Sequence, residues 1–249
     1  MDKEILKEEI IKKLEKSKVK LVLDKDLLES LLFEEVILNG KKYKKIVWQG
    51  DFLRKIDLSC INFDNVIWNG IDLSHTNANI DFSTSCDGIV ENCNFSYVNL
   101  EKSNVSSLNC IVESDFSYSK ADIRLYDKDG KENFSYFYKN NLCGLDLSKY
   151  CIFAKDLVNY KDEYLANCTF KNSKITINYD KFNDKMFSKV LGLMIKNGSL
   201  EGCFINDRYI SPMSFRHAKR HDEFVKYFNH LLNLRNKVRE RNIKLEEDK

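Results

Sequence analysis

His217 and His221 stand four residues apart, with Asp222 beside the second. On a helix such a pair shares one face and could hold a metal ion. No third ligand follows at suitable spacing, and Arg216, Lys219 and Arg220 surround the pair with positive charge. The cluster therefore reads as a solvated helix face. Asp127, Asp129, Gly130 and Glu132 offer oxygen donors of the kind calcium takes, but the glycine comes too early and the later acidic ligand is missing. The Asp-Gly step reads instead as a turn.

Eight cysteines are present: Cys60, Cys86, Cys93, Cys110, Cys143, Cys151, Cys168 and Cys203. None forms a CxxC pair, which argues against a zinc ribbon or a thioredoxin-type centre. A nucleophilic cysteine needs a nearby base, and four scattered histidines supply no constellation. Glycine-rich phosphate loops and serine-centred nucleophile motifs are missing too. These residues predict no catalytic centre, no cofactor and no metal: the chain does not read as an enzyme.

The elements that carry them are set by composition and spacing. The 249 residues hold 40 Lys and Arg against 38 Asp and Glu, 9 Gly, 1 Pro and 25 Asn. With 43% hydrophobic residues the chain can bury a substantial core and does not read as disordered. The N-terminal stretch is charged every few residues, unlike a secretory signal, and no apolar run approaches a bilayer span. A reducing, cytoplasmic setting is expected, with no membrane partner and with the cysteines as thiols.

Stepping by five from Leu28 meets Phe33, Leu38, Tyr43, Trp48, Leu53, Leu58, Phe63, Trp68, Leu73 and Ala78, all apolar. A second apolar row lies two places earlier, at Leu31, Val36, Ile46, Ile56, Ile61, Val66 and Ile71, with Lys41, Asp51 and Thr76 as exceptions. The spacing resumes with slips at Phe95, Leu100 and Phe116, then at Ile123, Leu142, Leu147, Ile152 and Leu157, and finally at Leu165, Phe170 and Ile175. A period of five fits neither a helix nor a flat strand. The chain is expected to turn once per five residues, with Asn, Asp and Ser at the turns because they bond their own backbone. Cys93 and Cys168 fall at small inner positions, where a thiol packs as a compact apolar group. His75 falls at an outward one.

The quintets Ile56-Asp57-Leu58-Ser59-Cys60, Ile61-Asn62-Phe63-Asp64-Asn65, Ile71-Asp72-Leu73-Ser74-His75, Val98-Asn99-Leu100-Glu101-Lys102 and Ala121-Asp122-Ile123 carry a resemblance. They resemble the pentapeptide repeat family, over about residues 31–177, with Ile, Val and Cys often replacing that family's small inner alanine. The resemblance implies an all-β solenoid, a right-handed quadrilateral β-helix of pentapeptide repeats. A short N-terminal helical cap and C-terminal α-helices complete the expected fold class.

Three regions follow. Residues 1–30 are read as a helical cap, with Leu6, Ile10 and Leu14 on one helix, a strand at Val19–Leu23 and a helical turn at Asp26–Ser30. Residues 31–178 are the repeat region, interrupted by loops near 79–92 and 124–141. Residues 179–249 are a C-terminal helical cap, whose last helix offers Phe224, Tyr227, Phe228, Leu231, Leu232 and Val238 as a candidate homodimer face. Net charge is −3 over residues 31–179 and +5 over 180–249. The basic cluster of Arg235, Lys237, Arg239, Arg241 and Lys244 complements a helix dipole as readily as a phosphate, so nucleic acid is not the expected partner.

The expected function is a non-enzymatic pentapeptide-repeat scaffold that docks an unidentified protein partner. The alternative is a DNA-mimicking topoisomerase (gyrase) binder, as the resemblance to quinolone-resistance members would imply. That mechanism needs a strongly acidic face, which net −3 and the lysines at 41, 42, 44 and 45 disfavour.

Overall fold

The fold is taken from a computed structural model that describes residues 3–124, 136–153, 168–178, 202–205 and 208–209. Two helices lead the chain. Helix α1, Lys3–Lys16, buries Ile10 and Leu14, and Leu6 packs at the edge of the same core. Helix α2, Lys25–Leu32, starts at Asp24, whose carboxylate accepts the Leu27 amide at 3.0 Å as an N-cap. It buries Leu28, Leu31 and Leu32. Between the helices the expected strand at Val19–Leu23 is missing. Val19 and Val22 are exposed, and only Leu21 makes a parallel bridge, to Ile56.

The expected all-β quadrilateral solenoid is not the fold observed. The strands are short and gathered in small sheets beside the two helices. Strands β1 (Phe33–Leu38) and β2 (Lys41–Ile46) form a two-stranded antiparallel hairpin. Strands β3 (Trp68–Asn69), β4 (Ile89–Glu91), β5 (Cys110–Val112) and β6 (Tyr136–Tyr138) form a four-stranded parallel sheet. Strands β7 (Asp146–Phe153), β8 (Lys174–Asn178), β9 (Phe204–Ile205) and β10 (Arg208–Tyr209) form a second sheet, parallel except for its last pair. The physical reason lies in what a five-residue period specifies. It decides which side chains point inward, while tight turns and short 3-10 segments interrupt the chain between the strands.

Two further expectations change. The interruption near residues 79–92 does not stand clear of the core: Ile80 and Phe82 are buried, and its end is strand β4. In the expected loop at 124–141, residues 136–138 are strand β6, and residues 125–135 lie outside the described set.

The core runs along the parallel sheet. Trp68, Val90, Ile111 and Phe137 stand in register and are all buried. Behind them Phe82, Phe95 and Phe116 pack ring to ring, with Phe95 5.5 Å from Phe82, 5.4 Å from Trp68 and 5.3 Å from Phe116. Of the five-step positions, Trp48, Leu53, Leu58, Phe63, Leu73, Leu100, Ile123, Leu142, Leu147, Phe170 and Ile175 are also buried. Leu38 is exposed, and Phe33 and Tyr43 are only half-buried, because the hairpin removes them from that row. The side chains of Ile152, Leu157 and Leu165 lie outside the described set.

Buried polar groups are satisfied along the same ladder. Asn140 donates to the Ile111 carbonyl at 2.9 Å and accepts the Ser114 amide at 3.0 Å, while Ser173 donates to the Leu142 carbonyl. The indole N–H groups of Trp48 and Trp68 are exceptions, buried with no acceptor.

Candidate functional site

A four-residue pattern repeats along the ladder: Asp72-Leu73-Ser74-His75, Asn94-Phe95-Ser96-Tyr97, Asp115-Phe116-Ser117-Tyr118 and Asn141-Leu142-Cys143-Gly144. The first residues bridge one another in parallel, Asp72 to Asn94, Asn94 to Asp115 and Asp115 to Asn141. Each turns the chain in the same way, its side-chain oxygen accepting the amide two residues on, at 2.8 Å for Ser74, 3.0 Å for Ser96, 2.7 Å for Ser117 and 3.2 Å for Cys143. The side-chain amide of Asn141 also donates to Asp115 at 2.9 Å. These are Asx turns, and they deliver the fourth residue outward in the left-handed region.

The fourth residues, continued by Asn172 three places after Thr169, which bridges Asn141, form a column with φ of 59° at His75, 61° at Tyr97, 55° at Tyr118, 69° at Gly144 and 59° at Asn172. Backbone bonds lock the rungs: His75 N–H to Ser96 at 2.9 Å, Tyr97 N–H to Ser117 at 3.0 Å and Tyr118 N–H to Cys143 at 2.8 Å. The rings stack face to face, His75 on Tyr97 at 4.4 Å and 15°, and Tyr97 on Tyr118 at 5.1 Å and 17°. The Tyr118 ring extends over Gly144, where a Cβ would collide with it, and its hydroxyl accepts from Asn172 at 3.1 Å.

Glycine and asparagine take this backbone at little cost, whereas a bulky residue there is strained. The column therefore divides. Gly144 and Asn172 suit it and His75 is tolerated there, while Tyr97 and Tyr118 are bulky aromatics held against preference and in solvent, 53% and 42% exposed. Stacking returns about 0.5–1.5 kcal/mol per ring pair, and strained, exposed residues of this kind cluster at functional sites.

The thiols behave as packing groups. Burial pushes Cys93 and Cys168 up to about 12 and Cys203 up to about 11. It also raises Cys86, Cys110 and Cys143. At neutral pH these stay protonated and weakly nucleophilic. Among the described residues no three His, Cys, Asp or Glu side chains stand close enough to hold a metal, and the described cysteines are free. No helix of the described residues is long and apolar enough to cross a membrane.

Of the sequence candidates, His75 joins the column. The His217, His221 and Asp222 cluster lies outside the described residues, as do Asp127, Asp129, Gly130 and Glu132. The same holds for the basic cluster at Arg235–Lys244 and for the candidate dimer face of Phe224, Tyr227, Phe228, Leu231, Leu232 and Val238. Tyr97 and Tyr118 were not singled out by the five-step register, which follows buried positions. Their signal is the recurring Ser-His or Ser-Tyr three residues after an Asp or Asn. No family model, curated protein or solved structure matches this chain.

Proposed function

We propose that this protein is a non-catalytic scaffold that docks a protein partner through the column of His75, Tyr97 and Tyr118. One observation carries the reading: three aromatic rings stacked in solvent on a backbone conformation that favours glycine or asparagine. Tyrosines of this kind supply rigid contact area at low entropic cost, the usual anchors of protein interfaces. The free thiols suit a reducing compartment, and we place the protein in the cytoplasm on that ground.

Charge supports a protein partner over DNA mimicry. Asp51 and Asp72 stand 3.3 and 3.9 Å from Arg54, Glu113 stands 2.8 Å from Lys139, and Asp146 stands 3.4 Å from Lys174. Among the described residues these carboxylates are interspersed with cations and do not make the continuous acidic stripe that a basic DNA cleft would recognise.

The test compares capture from the native cell by the wild-type chain and by a Tyr97→Asn, Tyr118→Asn double variant. Asparagine keeps the left-handed turn and removes the rings. A partner held by wild type and lost by the variant, with the thermal midpoint maintained, supports the reading. A partner held equally by both sinks it.

A further inference from the structure

We propose that the outer edge of β1 pairs with β1 of a second copy of this chain, in a two-fold antiparallel junction centred on Val36. The first support is backbone valence. Val47 donates to the Leu32 carbonyl at 2.8 Å, and bonded pairs alternate along an antiparallel ladder. In the observed register Glu34, Val36 and Leu38 therefore spend their peptide groups on β2. Those of Glu35 and Ile37 point the other way, and among the described residues nothing hydrogen-bonds to them. The neighbouring Phe33 amide is already used, donating to the Glu29 carbonyl at the end of α2.

The second support is that this edge is only lightly protected, its charges being Glu34 and Glu35 with no lysine. Free edges are normally blunted by lysine, proline or a bulge. Strand β1 pairs through six consecutive positions without a register shift and contains no proline. The lysines at 41, 42, 44 and 45 all sit on β2, the strand already covered. At the bare edge Ile37 is 65% exposed and Leu38 40%.

The third support is charge complementarity, which selects a second copy as the occupant. Around a two-fold axis at Val36, Glu35 exchanges both backbone bonds with the second copy's Ile37, and Ile37 with the second copy's Glu35. One face then reads Lys44, Glu35, Ile37, Lys42 across the four strands, where Glu35 already bonds Lys42 within its own copy at 2.9 Å. The opposite face reads Tyr43, Val36, Val36, Tyr43 at its centre, flanked by rows of Lys41, Leu38, Glu34 and Lys45. No row sets like charges side by side. A junction centred on Glu35 would oppose two carboxylates, and one centred on Ile37 would pair only three residues before the turn at Asn39-Gly40. The result is a four-stranded antiparallel sheet spanning two copies, an isologous contact.

Sedimentation of the full chain tests this. Wild type is expected at twice 29.3 kDa. Ile37→Pro, which removes an outward N–H and is tolerated at a free edge, and Val36→Lys, which sets two lysines on the axis, are expected at the single-chain mass. A wild-type mass of one chain overturns the proposal, as do folded variants that stay paired. Should both variants lose the fold, Val36→Cys decides. Facing non-bonded positions suit a disulfide, so mild oxidation should link two copies through position 36, as mapped by mass spectrometry. A chain that does not cross-link there refutes the junction.

Discussion

The hairpin at 33–46 and the parallel ladder from Trp68 onward share the same five-residue apolar spacing and end in opposite structures. In the ladder the spacing buries steps such as Trp68, Leu73, Phe95 and Leu100. In the hairpin Leu38 is exposed and the strand stops after six residues. Asn39 and Gly40 make the difference. With φ of 51° and 77° they form the mirror-image turn that suits a two-residue hairpin, folding β2 back antiparallel instead of carrying the chain onward. The comparison teaches that a local turn signal overrides a hydrophobic period wherever the two conflict, because the turn decides direction before burial can act.

The largest test of this contrast is Phe95→Ala. Phe95 is fully buried among Trp68, Phe82 and Phe116, and truncation should cost about 3–5 kcal/mol in urea unfolding. Next comes a matched pair at equivalent five-step positions. Leu58→Ala in the buried row should cost about 2–5 kcal/mol, and Leu38→Ala about 0.5 kcal/mol or less, as for a surface site. Equal losses would break the contrast between the regions.

A smaller contrast lies in the glycines. Gly40→Ala meets open space and should cost about 1 kcal/mol from its φ alone. Gly144→Ala carries the same strain and also drives a methyl into the Tyr118 ring, so it should cost more and dim the exposed aromatic stack in near-ultraviolet circular dichroism.

A separate effect appears only at alkaline pH. An unfolded thiol ionises near pH 8.5, whereas folded Cys93 and Cys168 hold their protons to about 12 and Cys203 to about 11. Above pH ~8.5 the unfolded chain therefore binds fewer protons than the folded one, and stability falls as pH rises toward about 12. Alkaline melting curves would show it. In native protein at pH 8, a thiol reagent should reach exposed Cys60 well before Cys93 or Cys168.

Much of the core was legible. Trp48, Leu53, Leu58, Phe63, Leu73, Leu100, Phe116 and Leu142 lie on the five-step row and are buried, because periodicity reports facing directly. The regular quadrilateral was an over-reading: the same periodicity is compatible with short strands separated by Asx turns and 3-10 segments, and backbone bonding decides between them. Near residues 79–92 the step slips, yet Val90 stands in register with Trp68 and Ile111. Register across strands depends on partners distant in sequence, which a local period does not contain.

The aromatic column was partly legible. The Asx-x-Ser pattern before His75, Tyr97 and Tyr118 is visible in the chain, but the stack is not, since it needs rungs more than twenty residues apart to align within 4.4 and 5.1 Å. By itself the sequence determined most of the inward-facing residues and the places where Asp and Asn turn the chain, matters of neighbouring side chains and φ; the reversal at Asn39-Gly40 is just as local, but the five-residue row passes straight over it. Only the tertiary structure decided that the turns align in one column, that its aromatic rungs stand in solvent, and that among the described residues the outer edge of β1 is left without a backbone partner. Those outcomes depend on long-range backbone pairing, whose register no single stretch of chain encodes.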